Sequence, residues 1–247
     1  MNAVFAPLSA QGLSLQAVLD VAQLPADVLS TLALTPDERA VYRRLVLIGH
    51  RGPAFWEALR ARGLHGSDPV DAFVTECVRG WMDGLAPGGR WLQVFPGTRP
   101  VGLQRLGQLA GWYHPSPFWV GVDAEWGSWF AYRAVVLTDT DWPFTPRRER
   151  SSPCLSCRDQ PCLGACPAKA LAPVMGQADE VLANSSRRSA LQVCIDHRLQ
   201  PGSACQDRCL ARNACPVGST ERYSDEQMAY HYLQSLPALR HWRDQRS

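Results

Sequence analysis

Eight of the chain's nine cysteines fall between residues 154 and 215. That stretch is poor in apolar periodicity, so something other than a hydrophobic core must hold it together. The first group is Cys154, Cys157, Cys162 and Cys166, followed by Pro167, a C-x2-C-x4-C-x3-C-P spacing. The second is Cys194, Cys205, Cys209 and Cys215, followed by Pro216. In a reducing compartment thiols at such density serve as metal ligands in preference to disulfides.

Two cysteines separated by two residues can turn both thiolates toward one centre. The bacterial iron–sulfur run is C-x2-C-x2-C-x3-C-P, and its fourth cysteine ligates the other cluster in two-cluster proteins. The first group departs from that run by two extra residues, within the "RDQP" segment. Four plus four cysteines, each group closed by Cys-Pro, is the pattern two interlocked [4Fe-4S] clusters require. Under the exchange rule Cys154, Cys157, Cys162 and Cys215 hold one cluster, and Cys166, Cys194, Cys205 and Cys209 the other. The competing reading is a pair of structural zinc sites with four cysteines each. Zinc sites normally join two C-x2-C knuckles, whereas only Cys154 and Cys157 have that spacing, and the repeated Cys-Pro has no zinc rationale. Cys77, alone on an expected helix face, reads as a small apolar residue.

A net charge of +2 without long single-sign runs argues against a dedicated nucleic-acid or membrane-surface binder. The N-terminal "MNAVFAPLSAQGLSLQAVLD" has no basic-then-apolar leader, and no apolar run approaches a bilayer span. The expectation is a soluble, cytoplasmic protein with a redox partner protein. Arg147, Arg148, Arg150, Arg158, Arg208 and Arg212 flank or interrupt the cysteine groups. They either offset cluster charge and dock an acidic partner, or form a solvated run in a connector that must be polar anyway.

Upstream, strand and helix signals alternate. "RLVLIGH", "RWLQVFPG" and "GSWFAYRAVVLTD" read as strands, and "PAFWEALRARG", "DPVDAFVTECVRGWMDGL" and "VGLQRLGQLAGW" as helices. "SLQAVLDVAQL" shows three- and four-residue apolar spacing and is expected to be helical. "TPDERAVYRRL" starts as a helix capped by Thr35. A proline-rich basic connector, "TDWPFTPRRERSSP", precedes the cysteines, and Ser224 with Gln227 sets up a capping box for a terminal helix. The expected organisation is an α+β domain over 1–145, a two-cluster iron–sulfur domain over 146–222, and a helix over 223–247 packing on the core.

The stretch "GWYHPSPFWVGVDAEWGSWFAYRAVVLTDTDWPF", followed by "CLSCRDQPCLGACPAKAL", resembles the core of the epoxyqueuosine reductases, cobalamin-dependent enzymes with two [4Fe-4S] clusters that act on a modified tRNA nucleoside. Gly127, Ser128, Trp129, Phe130, Thr138 and Asp139 fit the family's order, and Cys194 matches its isolated cysteine between the runs. The resemblance covers residues 98 to 217. It implies a nitroreductase-like, cobalamin-processing-like N-terminal domain beside a small ferredoxin-like domain, and it raises cobalamin as a further cofactor. Three features depart from the family. "FPGTRPVGLQR" lacks the proton-donating acid, the C-terminal helical repeats are absent, and the second cysteine run is looser. These argue against epoxyqueuosine reduction itself.

His114 in "WYHPSP" is a candidate axial ligand or proton donor, and Tyr113, Tyr132 and Arg133 are candidates for lining the same cofactor pocket. The structural alternative for His114 is a hydrogen-bonded turn histidine. Three functions stand open: a two-cluster redox protein passing electrons to a site or partner at the N-terminal domain, a cobalamin-dependent reductase or cobalamin-handling protein, and a non-catalytic ferredoxin-type carrier.

Overall fold

A computed structural model describes residues 3–85, 88–172 and 184–245. Residues 173–183, within the expected iron–sulfur domain, and Met1 and Asn2 lie outside the described residues. The chain divides into two compact units, one of Met1–Tyr113 with Trp129–Glu149, the other of His114–Ser128 with Arg150–Ser247.

The first unit runs α1 (Ala6–Ala10), β1 (Leu15–Asp20), α2 (Ala26–Leu32), α3 (Pro36–Val41), β2 (Arg44–Arg51), α4 (Ala54–Arg62), α5 (Pro69–Leu85), β3 (Trp91–Phe95), α6 (Leu103–Ala110) and β4 (Phe130–Thr138). The strands form one antiparallel sheet in the order β1-β2-β4-β3. In β2 every residue from Leu45 to His50 is buried, and in β4 every residue from Ala134 to Thr138. Unbroken burial along a strand means that both sheet faces are covered. α4 and α5 contribute Phe55, Trp56, Leu59, Phe73, Val74, Val78, Trp81 and Met82 to that core.

The expected helix over "SLQAVLDVAQL" is a strand in its first half. Leu15, Ala17 and Leu19 alternate while Leu15, Val18 and Leu19 repeat at helical spacing, and a short window cannot separate the two periods. Pairing decides the matter, because all six residues of β1 match β2 from Leu15 opposite Gly49 to Asp20 opposite Arg44. The Asp20 carboxylate then accepts from the Ala22 amide at 3.0 Å and turns the chain into a short 3-10 segment. The Thr35 cap forms as expected: its hydroxyl accepts from the Glu38 amide at 3.2 Å, and the Glu38 carboxylate accepts from the Thr35 amide at 2.9 Å. α3 stops at Val41 because Arg44 already belongs to β2.

The second unit has no strand longer than an isolated bridge among its described residues. Two bridges, His114 with Val122 and Asp123 with Gly127, fold the segment 114–128. The buried Asp123 carboxylate accepts from the amides of Glu125 at 2.8 Å and Trp126 at 3.2 Å, which shapes the second turn. The remainder holds α7 (Pro153–Ser156), α8 (Pro161–Gly164), α9 (Asn184–Leu199), α10 (Leu210–Asn213) and α11 (Asp225–Asp244). α11 begins where expected, with the Ser224 hydroxyl accepting from the Gln227 amide at 3.1 Å. The return half of that capping box does not form, since the Gln227 side chain is fully buried with neither polar atom hydrogen-bonded. No helix among the described residues is long and apolar enough to cross a membrane.

Candidate functional site

Each one-turn helix of the second unit presents a cysteine. α7 opens Pro153-Cys154 and α8 opens Pro161-Cys162, each with proline in the first turn, where the missing amide costs nothing. The two extra residues of the first run find their use here. Gln160 adopts a left-handed conformation, φ 39°, and the chain it redirects enters α8 at Pro161. Cys209 caps α10, with the Arg212 amide donating to its Sγ at 3.4 Å. Cys194 sits on α9, a helix that the sequence pattern did not disclose.

The structure gathers the eight thiols as two quartets. Cys154, Cys157, Cys162 and Cys215 line one open-mouthed cavity of about 410 Å³, and Cys166, Cys194, Cys205 and Cys209 line another of about 420 Å³. These are the two sets that the crossed pairing describes. Within each quartet two thiols are buried, Cys162 with Cys215 and Cys166 with Cys205, and two are half-buried. Phe118 lines both cavities and packs in one apolar cluster with Cys162, Cys166 and Cys215. No three His, Cys, Asp or Glu side chains among the described residues are grouped to hold a single metal ion. A tetrahedral zinc centre with 2.3 Å bonds would bring its sulfurs to about 3.8 Å of each other. A larger inorganic core needs its ligands spread around a void.

Burial governs the thiols' protonation. It pushes Cys154 up to about 12 and Cys194 up to about 11, and raises Cys162, Cys205, Cys209 and Cys215 as well, with neighbouring thiols adding to the rise. Backbone amides oppose this at particular sulfurs: Leu210 at Cys205, Ala211 and Arg212 at Cys209, Leu163 at Cys162, Val217 at Cys215. The six raised thiols, four of them with amides aimed at sulfur, release their protons when metal cations displace them. The donor set therefore fits a thiolate-bound metal group. Cys77, in the first unit, is half-buried on α5 and also pushed up to about 11 by burial.

Arg212 is 8% exposed. Its guanidinium donates to the Ser128 hydroxyl at 3.2 Å and to the Ser128 carbonyl, and lies 5.1 Å from the Tyr223 ring centre. The Ser128 of the Gly-Ser-Trp-Phe segment thus anchors an arginine of the second cysteine run. Gly127, at φ 61°, meets the Val217 backbone so closely that a Cβ would collide with its carbonyl. Arg208 pairs with Asp207 at 3.0 Å, while Arg147, Arg150 and Arg158 are exposed. Arg198 and Phe118, both at the second cavity, escaped the sequence reading. Arg198 lay outside the basic connector, and Phe118 is remote in sequence from every cysteine.

The four residues expected to line a cofactor pocket fall on both sides of the division between the units. His114 makes paired backbone bonds with Val122, at 3.0 and 2.9 Å, and belongs to the second unit. Tyr113, Tyr132 and Arg133 belong to the first. Tyr132 stacks beside Trp112, 6.4 Å between ring centres, with its hydroxyl over Gly107, where no Cβ would fit. Burial first, and Tyr113 second, push its phenol above the ordinary value. Arg133 is the bulged residue of β4, skipped between the Ile48–Ala134 and Gly49–Tyr132 pairs. It donates to His50 Nδ1 at 3.0 Å and stands 5.0 Å from the Phe55 ring centre.

No family model matches the chain, and no curated protein matches it in sequence. Solved structures do. Epoxyqueuosine reductase from Bacillus subtilis is similar at a TM-score of 0.53 and 15% identity, over 90% of this chain and 66% of that one. A crystal structure of epoxyqueuosine reductase with an epoxyqueuosine-modified tRNA-Tyr stem loop gives 0.52 and 16%, over 92% and 67%. A B12-trafficking protein of C. elegans gives 0.49 and 13%, over 94% and 95%. This chain thus spans about two thirds of the reductases' length, and at these identities the likeness establishes a shared mixed helix-and-sheet fold, that of the epoxyqueuosine reductases.

Proposed function

We propose that the protein is an iron–sulfur redox protein whose second unit holds two [4Fe-4S] clusters, one on Cys154, Cys157, Cys162 and Cys215, the other on Cys166, Cys194, Cys205 and Cys209. The observation that carries this is the crossed gathering of the thiols: Cys215 joins the first run and Cys166 leaves it, as the Cys-Pro exchange of two-cluster ferredoxins requires. Two separate zinc knuckles would have kept each run to itself. The fold shared with the reductases supports the same reading.

When bound, the clusters supply reversible one-electron storage. The chain's own residues do the rest. The thiols would hold the iron, the amides of Leu163, Leu210, Ala211, Arg212 and Val217 donate toward sulfur, and Phe118 forms an apolar wall common to both sites. Leu155, 59% exposed between Cys154 and Cys157 and near the exposed Arg150 and Arg158, is the contact surface for an acidic redox partner. Electrons would serve a site or partner of the first unit.

Protein purified without oxygen should be brown and carry about eight iron and eight sulfide per chain. One or two zinc ions without sulfide would refute the reading. A cobalamin-dependent or cobalamin-handling role is the second reading, favoured by a fold likeness that extends over the first unit as well as the second. Titration with cobalamin should then give a base-off spectral shift. An unchanged spectrum at high concentration removes that reading and leaves the ferredoxin-type carrier.

A further inference from the structure

The two cavities have the same thiol count but different electrostatic linings. The first is uncharged among the described residues. Pro117, Pro153, Pro161 and Pro216 surround it, with Phe118 and Val122. The second is lined by Arg198, Arg208 and His197.

Arg198 is held as a fixed charge. Its Nε donates to the Cys205 carbonyl at 3.1 Å, and another guanidinium nitrogen donates to the Tyr232 carbonyl at 3.2 Å and the Ser235 hydroxyl at 3.1 Å. From there it acts electrostatically on Cys194 and Cys205. Arg212, buried and anchored on Ser128, acts on Cys209 from its own position in the fold. The first quartet has Arg222, which acts on Cys215 and reaches its carbonyl at 3.4 Å. Amide donors break no tie, since each quartet receives them at two sulfurs. A reduced cluster carries one more negative charge than an oxidised one, and fixed nearby cations in a poorly solvated site stabilise the reduced form.

Building on the two-cluster reading, we propose that the cluster on Cys166, Cys194, Cys205 and Cys209 is the higher-potential member of the pair, set there by Arg198 and Arg212, and is the electron's resting place. With a low-potential one-electron donor, dithionite in the test, supplying the electron, Cys166, Cys194, Cys205 and Cys209 would hold the group that keeps it at equilibrium, and Arg198 and Arg212 would offset the added negative charge there. No atom or bond changes hands.

The test is a potentiometric titration of the holoprotein followed by electron paramagnetic resonance. Cys162→Ala should retain about half the iron and show one wave that coincides with the higher of the two wild-type waves. Coincidence with the lower wave overturns the ordering. Arg198→Gln should weaken the higher wave's reduction equilibrium about tenfold, about 59 mV for a one-electron couple, and leave the lower wave in place. Arg198→Lys, which keeps the charge, should restore most of it. A shift of the lower wave by Arg198→Gln, or no shift of either with iron still about eight per chain, refutes the assignment. Iron far below eight in the wild type is a different result, and it refutes the two-cluster reading instead.

Discussion

The two units solve the same problem with different materials. In the first, β2 and β4 bury Leu45, Val46, Leu47, Ile48, Ala134, Val135, Val136 and Leu137 almost completely, and aromatic side chains from α4 and α5 cover them. In the second, three of the six buried residues in the apolar cluster are cysteines: Cys162, Cys166 and Cys215 stand with Phe118, Ala170 and Ala211. One unit is held by apolar area; in the other, under the two-cluster reading, bound metal adds to a smaller core. Loss of metal and loss of core should therefore strike different halves of the molecule.

The largest expected effect is removal of the metal. Chelation under reducing conditions should abolish hydrogen-exchange protection across α7, α8 and α10 while the strands β2 and β4 keep theirs. Loss of protection in both units together would mean that the comparison is wrong. Leu47→Ala is the converse experiment. Its side chain is fully buried in the central strand, and truncation should cost about 2–5 kcal/mol in chemical denaturation without changing iron content.

A smaller effect is expected at Gly127, where φ is 61° and the Val217 carbonyl occupies the space of a side chain. Gly127→Ala should destabilise the second unit by at least about 1–2 kcal/mol, read as a lower midpoint for loss of cluster absorbance. The smallest lies at Glu38. Arg99, 2.6 Å away, and the Thr35 cap pull its carboxyl down from 4.5 to about 2. A depressed carboxyl stabilises the fold above its unfolded value and loses that contribution as pH falls from 4.5 toward 2. Glu38→Gln should remove that slope in the acid range, at a cost below about 1 kcal/mol near neutral pH because the pair is partly exposed.

How much of this the sequence disclosed follows from how local each signal is. The Thr35 cap, β2 and β4 rest on a few adjacent residues and were readable. β1 was not, since Leu15, Ala17 and Leu19 suit a strand while Leu15, Val18 and Leu19 suit a helix, and only pairing with β2 decides. Cysteine spacing pointed to the quartets because the exchange at Cys-Pro is itself a sequence rule. Phe118 was invisible, as it meets the cysteines only through folding from a distant segment, and Arg198, one turn after Cys194, was missed because the helix that carries both was not foreseen. Tyr132 and Arg133 were expected in one regular strand, and the bulge at Arg133 was not foreseen. A bulge is one extra residue in a ladder and leaves no pattern to read.

The central claim is that the quartets cross the two runs, and paired cysteine variants test it most directly. Cys166→Ala with Cys205→Ala removes two ligands of one proposed cluster and should leave about four iron per chain. Cys162→Ala with Cys166→Ala removes two cysteines only four positions apart in sequence, yet should leave almost none. The opposite result, four iron retained by the second pair and none by the first, would mean that each run keeps its own metal and would contradict the account.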